Sequence, residues 1–143
     1  RLDKKTGKFM RINPGTNEVN GLSSTHIYYQ VIDSKGQIWV TSGEGLNRVS
    51  QKTDGSYHVN QFRESDEDST SLSSRWVQSI YMDSKGRIWS GTDGGLNLFI
   101  GDEEGFVVFD KTDGLPSDII KGIIEDQSGN FWITTAKGIS KMT

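Results

Sequence analysis

A chain of 143 residues in which hydrophobic positions make up only 32% and glycine contributes 17 is long enough for a sizeable core. Its composition suits short strands and tight turns and argues against a helical bundle. A net charge of −3 provides no basic surface to hold nucleic acid or an anionic membrane by counterion release, so neither is expected as a partner. With no cysteine there is no disulfide, thiolate zinc site or cysteine nucleophile, and no apolar run nears the roughly 18 residues that span a bilayer.

In chain order, a first strand is expected at residues 8–12. A fuller unit then begins with strand a at 26–32, rich in β-branched and aromatic residues. Asp33-Ser-Lys-Gly36 is a hairpin turn: Asp suits position i, where its carboxylate accepts a backbone N–H, and Gly suits i+3, where φ is positive. Strand b follows at 37–41, the Gly-rich Ser42-Gly-Glu-Gly45 turns the chain into strand c at 46–49, and strand d lies at 57–62. The grammar then restarts. Strand a at 76–82, Asp83-Ser-Lys-Gly86, Trp89, Thr92-Asp-Gly-Gly95 and strand d at 106–109 make a second unit. Strand a at 119–125, Asp126-Gln-Ser-Gly129, Trp132 and Gly138 make a third.

The copies keep register without insertion. Asp and Trp are 6 positions apart in each, Trp and the later Gly another 6, and Leu22, Leu72 and Leu115 each stand 11 before their Asp. The Trp residues recur at spacings of 50 and 43, within the range of about 40–50 residues of four-stranded propeller blades. The fold class is therefore all-β: β-propeller blades, three four-stranded antiparallel repeats in one segment over 1–143. The units run approximately over 1–21 (partial, strand d), 22–71, 72–114 and 115–143 (lacking strand d). Closed propellers have about four to eight blades. Three blades thus belong to a larger ring of six to eight, the favoured expectation, or close by association of copies. Trp39, Trp89 and Trp132 stand at one fixed point of every strand b, where large rings, each with about 150–250 Å² to bury, fill the wedge between blades. A ligand platform is the alternative use for them.

The second copy, Leu72-Ser-Ser-Arg-Trp-Val-Gln-Ser-Ile-Tyr-Met-Asp-Ser-Lys-Gly-Arg-Ile-Trp-Ser-Gly-Thr-Asp-Gly-Gly-Leu-Asn97, closely resembles the two-component regulator propeller repeat. The copies from Leu22 to Asn47 and from Leu115 to Ser140 resemble it nearly as well, departing at Ser42, where Thr is usual, and at Ile139-Ser140 in place of Leu-Asn. The resemblance implies a periplasmic sensor domain of a hybrid two-component system, in which a ligand domain drives a histidine kinase across the inner membrane. In that family many sensors look like receptors for oligosaccharides.

Strand parity locates the candidate surface independently. If the four strands alternate in direction, the d-to-a and b-to-c loops share one rim, and the Asp turns lie on the other. The turn residues are copied between units while the first rim varies. Thr25 and His26 become Arg75 and Trp76, then Asp118 and Ile119; Glu44 becomes Asp93, then Lys137. Residues that vary inside a rigid copy are not needed for packing. His26, Arg75, Trp76, Asp118, Glu44, Asp93 and Lys137 are therefore the candidate ligand contacts, against a solvated rim under no constraint. Trp76 offers a sugar an apolar face and an edge N–H, although Ile119 in the matching place suggests an inter-blade contact instead. For Tyr28 and Tyr29, alternation expects one side chain inward, in the core, and one outward.

No catalytic, metal or cofactor site is expected. His26 and His58 fall in different strands with no acidic partner at a motif spacing, and no carboxylate pair recurs with the geometry of glycoside hydrolysis. The acidic loop Glu64-Ser-Asp-Glu-Asp68 lacks the turn Gly and closing Glu of a calcium loop, and Thr92-Asp-Gly-Gly95 lacks the Lys and following helix of a phosphate cradle. The first reading is a non-catalytic extracytoplasmic sensor segment that recognises a saccharide or other small ligand, its other partners being further blades or copies of the chain. A propeller lyase fragment and a purely structural segment are the alternatives.

Overall fold

The computed structural model describes residues 2–9, 11–13 and 21–143. Strands β1 (Leu2–Asp3) and β2 (Lys8–Phe9) form a small antiparallel pair. The first four-stranded sheet holds β3 (Ile27–Ile32), β4 (Ile38–Ser42), β5 (Gly45–Gln51) and β6 (Tyr57–Phe62) in sequence order. The second holds β7 (Val77–Met82), β8 (Ile88–Thr92), β9 (Leu96–Gly101) and β10 (Gly105–Phe109), again in order. A 3-10 turn at Lys111–Asp113 leads to the third sheet, β11 (Ile120–Glu125), β12 (Phe131–Thr135) and β13 (Gly138–Met142). Every pairing is antiparallel between chain neighbours, so each sheet is a meander, the form of a propeller blade. The strand expected at 8–12 is shorter: only Lys8–Phe9 is extended in a sheet, Met10 lies outside the described residues, and Ile12 packs on the valines of the first sheet.

The sheets lie face to face and share their cores. Trp39 and Leu46 of the first sheet cluster with Leu72, Val77, Ile88 and Phe106 of the second unit. Trp89 and Leu96 of the second cluster with Ile120, Ile123, Phe131 and Ile133 of the third. The leading strands β3, β7 and β11 pack successively against one another, which places strand a of each blade on the inner side. Trp39 stacks on Phe62 at 5.6 Å and meets Phe99 edge-on at 4.9 Å; both Trp39 and Trp89 are 2% exposed. The Trp of strand b is thus core where the next sheet covers it. Trp132, which no described sheet covers, is half-buried with Lys141 Nζ 5.5 Å from its ring centroid.

Candidate functional site: the varied rim

The backbone of the d-to-a rim is built by hydroxyls repeated in all three units. Ser24, Ser74 and Ser117 Oγ each accept from the backbone N–H two residues on, of His26 (3.1 Å), Trp76 (3.3 Å) and Ile119 (3.2 Å). This serine turn presents the two varied positions of each unit. In the first two units a buried amide locks the same segment from behind. Asn47 Oδ1 accepts from Ser23 N–H at 2.8 Å and its Nδ2 donates to Ser23 Oγ at 2.9 Å; Asn97 does the same with Ser73, both at 2.9 Å. In the third unit Pro116 and Ser140 occupy these places. Proline has no N–H for an asparagine to accept, so the loss of Asn at 140 and of Ser at 116 is one change of one lock. Ser42, where Thr92 and Thr135 stand in the other copies, keeps the hydroxyl's work: each donates to the carbonyl of the Gly three residues on, at 2.9–3.0 Å.

A β-bulge interrupts strand a at the same place in each sheet. Registers shift between Ile27 and Gln30, between Val77 and Ser79, and between Ile120 and Gly122. The bulge overturns the alternation expected for Tyr28 and Tyr29: both are exposed, by 40% and 58%, because the extra residue re-aims the side chains around it. They join Trp76, 44% exposed, and Gln78 in lining a groove of about 330 Å³ between the first two sheets. A Cβ at Gly43 would lie 3.3 Å from Tyr28 Oη and 4.0 Å from the Trp76 ring, so the b-to-c loop of one blade lies close to the indole of the next.

The other candidates divide. Arg75 lies beside the groove, 4.0 Å from Glu44 across the blade junction, with its backbone N–H donating to Glu64 Oε2 at 3.0 Å. Asp93 accepts from Gln78 Nε2, and Gln78 Oε1 accepts from Lys121 Nζ of the third sheet, so Asp93 reaches the groove through Gln78. His26 is exposed outside the groove lining, 3.3 Å from Thr25 Oγ1 through its Nδ1. Asp118 is held away by Lys111, whose Nζ and N–H approach its carboxylate at 2.8 and 2.9 Å; this hydrogen bond and charge hold Asp118 below the ordinary carboxylate range. Lys137 is exposed on the third sheet's Gly-rich loop, apart from the groove. Tyr28, Tyr29, Gln78 and Lys121 were not among the candidates. The signal that could have found them is the variation Tyr28, Gln78, Lys121 at a single repeat position.

On the opposite rim the Asp turns close as expected, with Gly36, Gly86 and Gly129 at φ 76°, 77° and 80°. The fixed spacing of 6 carries a further bond. Trp39, Trp89 and Trp132 Nε1 donate to Oδ2 of Asp33, Asp83 and Asp126 at 2.9, 2.9 and 3.0 Å, while Oδ1 accepts from the turn backbone. Burial would raise the Asp83 carboxyl, but donation from the Trp89 indole and from Arg87 outweighs it and holds the group below its ordinary value. Bonds from the Asn130 amide, then the Trp132 indole, hold Asp126 well below that range.

The repeats outlined by these turns, locks and Trp–Asp bonds correspond to a known sequence pattern, described as "Two component regulator propeller", which matches residues 71–94 and 114–137. Those two stretches are similar to the two-component regulator propeller repeat. Solved structures share the fold. The extracellular domain assigned to a hybrid two component system, BT4673 of B. thetaiotaomicron, is 25% identical at TM-score 0.72, over 94% of this chain and 18% of that one. A second such domain, BT3049 of the same organism, is 24% identical at TM-score 0.70, over 98% of this chain and 18% of that one. The chain therefore spans less than a fifth of either relative. Virginiamycin B lyase from Staphylococcus aureus, in its inactive H270A form with quinupristin, is 16% identical at TM-score 0.57, over 92% of this chain and 41% of that one, a likeness of fold alone. No curated protein matches the sequence. Among the described residues, no helix is long and apolar enough to cross a membrane, and no group of three or more His, Asp or Glu is placed to hold a metal ion.

Proposed function

We propose that this regulator propeller segment is a non-catalytic, periplasmic sensing element of a hybrid two-component receptor, and that it recognises a saccharide in the groove between its first two blades. The observation that carries the reading is the convergence of Tyr28, Tyr29 and Trp76, all exposed, on a groove whose polar member is Gln78. Exposed aromatic faces are costly to leave in water unless something covers them. A sugar ring presents C–H faces to stack on an indole or phenol and hydroxyls for an amide to bind. A groove of about 330 Å³ falls at the lower end of ligand pockets, about 300–1,000 Å³, and suits one or two sugar residues. Such groups hold and orient a ligand rather than move a proton. Further blades, from the same or another copy of the chain, complete the ring by packing on the outer faces of the first and third sheets. Titration calorimetry against a panel of neutral oligosaccharides tests the ligand reading: a binder should be found, and Trp76→Ala should weaken it about tenfold, the equivalent of ~1.4 kcal/mol. Unchanged affinity in that variant would make Trp76 a packing residue and sink the reading.

A further inference from the structure

The two blade junctions differ on the turn rim in a way that points to a second ligand. Between the second and third sheets, the turn residue Ser84 binds a carboxylate supplied by the protein itself: Glu125 Oε2 accepts from Ser84 N–H and Oε1 from Ser84 Oγ, both at 2.7 Å. Glu125 immediately precedes the turn Asp of its blade. Its counterpart one junction back is Met82, which precedes Asp83 and cannot accept in that way. Ser34, the counterpart of Ser84, instead lines an open cavity of about 210 Å³.

The walls of that cavity carry charges of both signs, Asp33 among them. Lys35, Arg48 and Arg87 line it together with Ser34. At the other junction, the positions matching Arg48 and Arg87 are Leu98 and Asn130. The junction that seats Glu125 on its turn serine thus lacks the two guanidinium groups, and the junction that has them puts no carboxylate on Ser34, its own carboxylates Asp102 and Asp83 pairing with Arg48 and Arg87 at 2.9 and 2.6 Å. Arg48 is held in place over the rings of Trp39, Phe62 and Phe99 at 5.4, 5.6 and 5.9 Å, its side chain 11% exposed and its Nε buried with no hydrogen-bond partner. The acidic groups nearby are already committed. Asp33 accepts from Lys35 N–H, Gln37 N–H and the Trp39 indole, Asp83 from Arg87 and Trp89, and Asp102 from Arg48 Nη2.

We propose that this cavity is a site for the carboxylate of a compact organic acid of monosaccharide size, seated on Ser34 N–H and Oγ as Glu125 is seated on Ser84, with Lys35 beside it and the buried, unpartnered Nε of Arg48 in the wall. The site is on the rim opposite the aromatic groove and stands independently of it. The test uses glucuronate as probe and glucose as the neutral control, by heteronuclear NMR and titration calorimetry on the protein and two variants. Glucuronate should move the Ser34 and Lys35 amide resonances and glucose should not. Met82→Glu installs the internal carboxylate and should weaken glucuronate at least tenfold, while the isosteric Met82→Gln keeps it; Ser34→Ala should weaken it about tenfold by removing one charge-assisted bond without touching the core, and so remains decisive if Met82→Glu does not fold. Absence of glucuronate binding, equal binding of glucose, or wild-type affinity in Met82→Glu or Ser34→Ala would overturn the proposal.

Discussion

On the turn rim, Asp33, Asp83 and Asp126 close three hairpins with one set of bonds, and the side chains are copied because the bonds are made by the side chains. On the opposite rim, Ser24, Ser74 and Ser117 hold three equivalent turns, yet the residues these turns display are Thr25-His26, Arg75-Trp76 and Asp118-Ile119. There the structural work is done by the serine hydroxyl and, in the first two units, by the asparagine behind it, which frees the displayed positions to differ. Sameness between copies marks what folds the blade; difference marks what a blade can offer to a ligand.

Substitutions on the two sides of this divide should separate stability from recognition. The largest effect is expected for Trp89→Ala, which empties a core position between the second and third sheets: about 3–5 kcal/mol of stability should be lost, read as the shift in a urea unfolding midpoint, and a loss under 1 kcal/mol would contradict its role between blades. Next, Asn97→Ala strands the Ser73 N–H at a part-buried position and should cost about 1–3 kcal/mol. The matching exchange Ser140→Ala in the third unit should cost less than 1 kcal/mol, since no such lock exists there, and equal losses would refute the lock.

Acid should find the turn rim first. The folded state holds the Asp83 and Asp126 carboxyls below their unfolded values, so their contribution is complete above about pH 4 and is lost as the pH falls through the lower folded values. Asp83→Asn should lower the melting temperature at pH 7 and flatten its fall below pH 4; a parallel curve for variant and parent would contradict this. The smallest stability effect is expected on the varied rim, where Trp76→Ala should change stability by no more than about 0.5 kcal/mol in the same urea experiment.

Much of this architecture could be read before any coordinates. Hairpin turns, strand order and the core place of Trp39 and Trp89 follow from period-two patterning and from Asp and Gly at fixed offsets, because these are local properties. What escaped was non-local or broke the period. The bulge that exposes both Tyr28 and Tyr29 adds one residue to strand a, and strict alternation cannot foresee it. The Asp–Trp bond was visible only as an unexplained constant spacing, and the Ser–Asn lock only as Pro116 and Ser140 changing together, since each joins residues that meet after the sheet has formed. On the varied rim, repeat comparison singled out Trp76 but not its companions Tyr28, Tyr29 and Gln78, which lie on the leading strands behind it.

Recognition on the varied rim is tested most directly by mapping a bound neutral oligosaccharide onto the amide and indole resonances of the isotope-labelled protein. The expected result is a set of shifts at Tyr28, Tyr29, Gln78 and the Trp76 indole N–H, with residues 33–37 and 83–87 unmoved. Shifts confined to those turns, or none in the groove with a saccharide demonstrably bound, would contradict it.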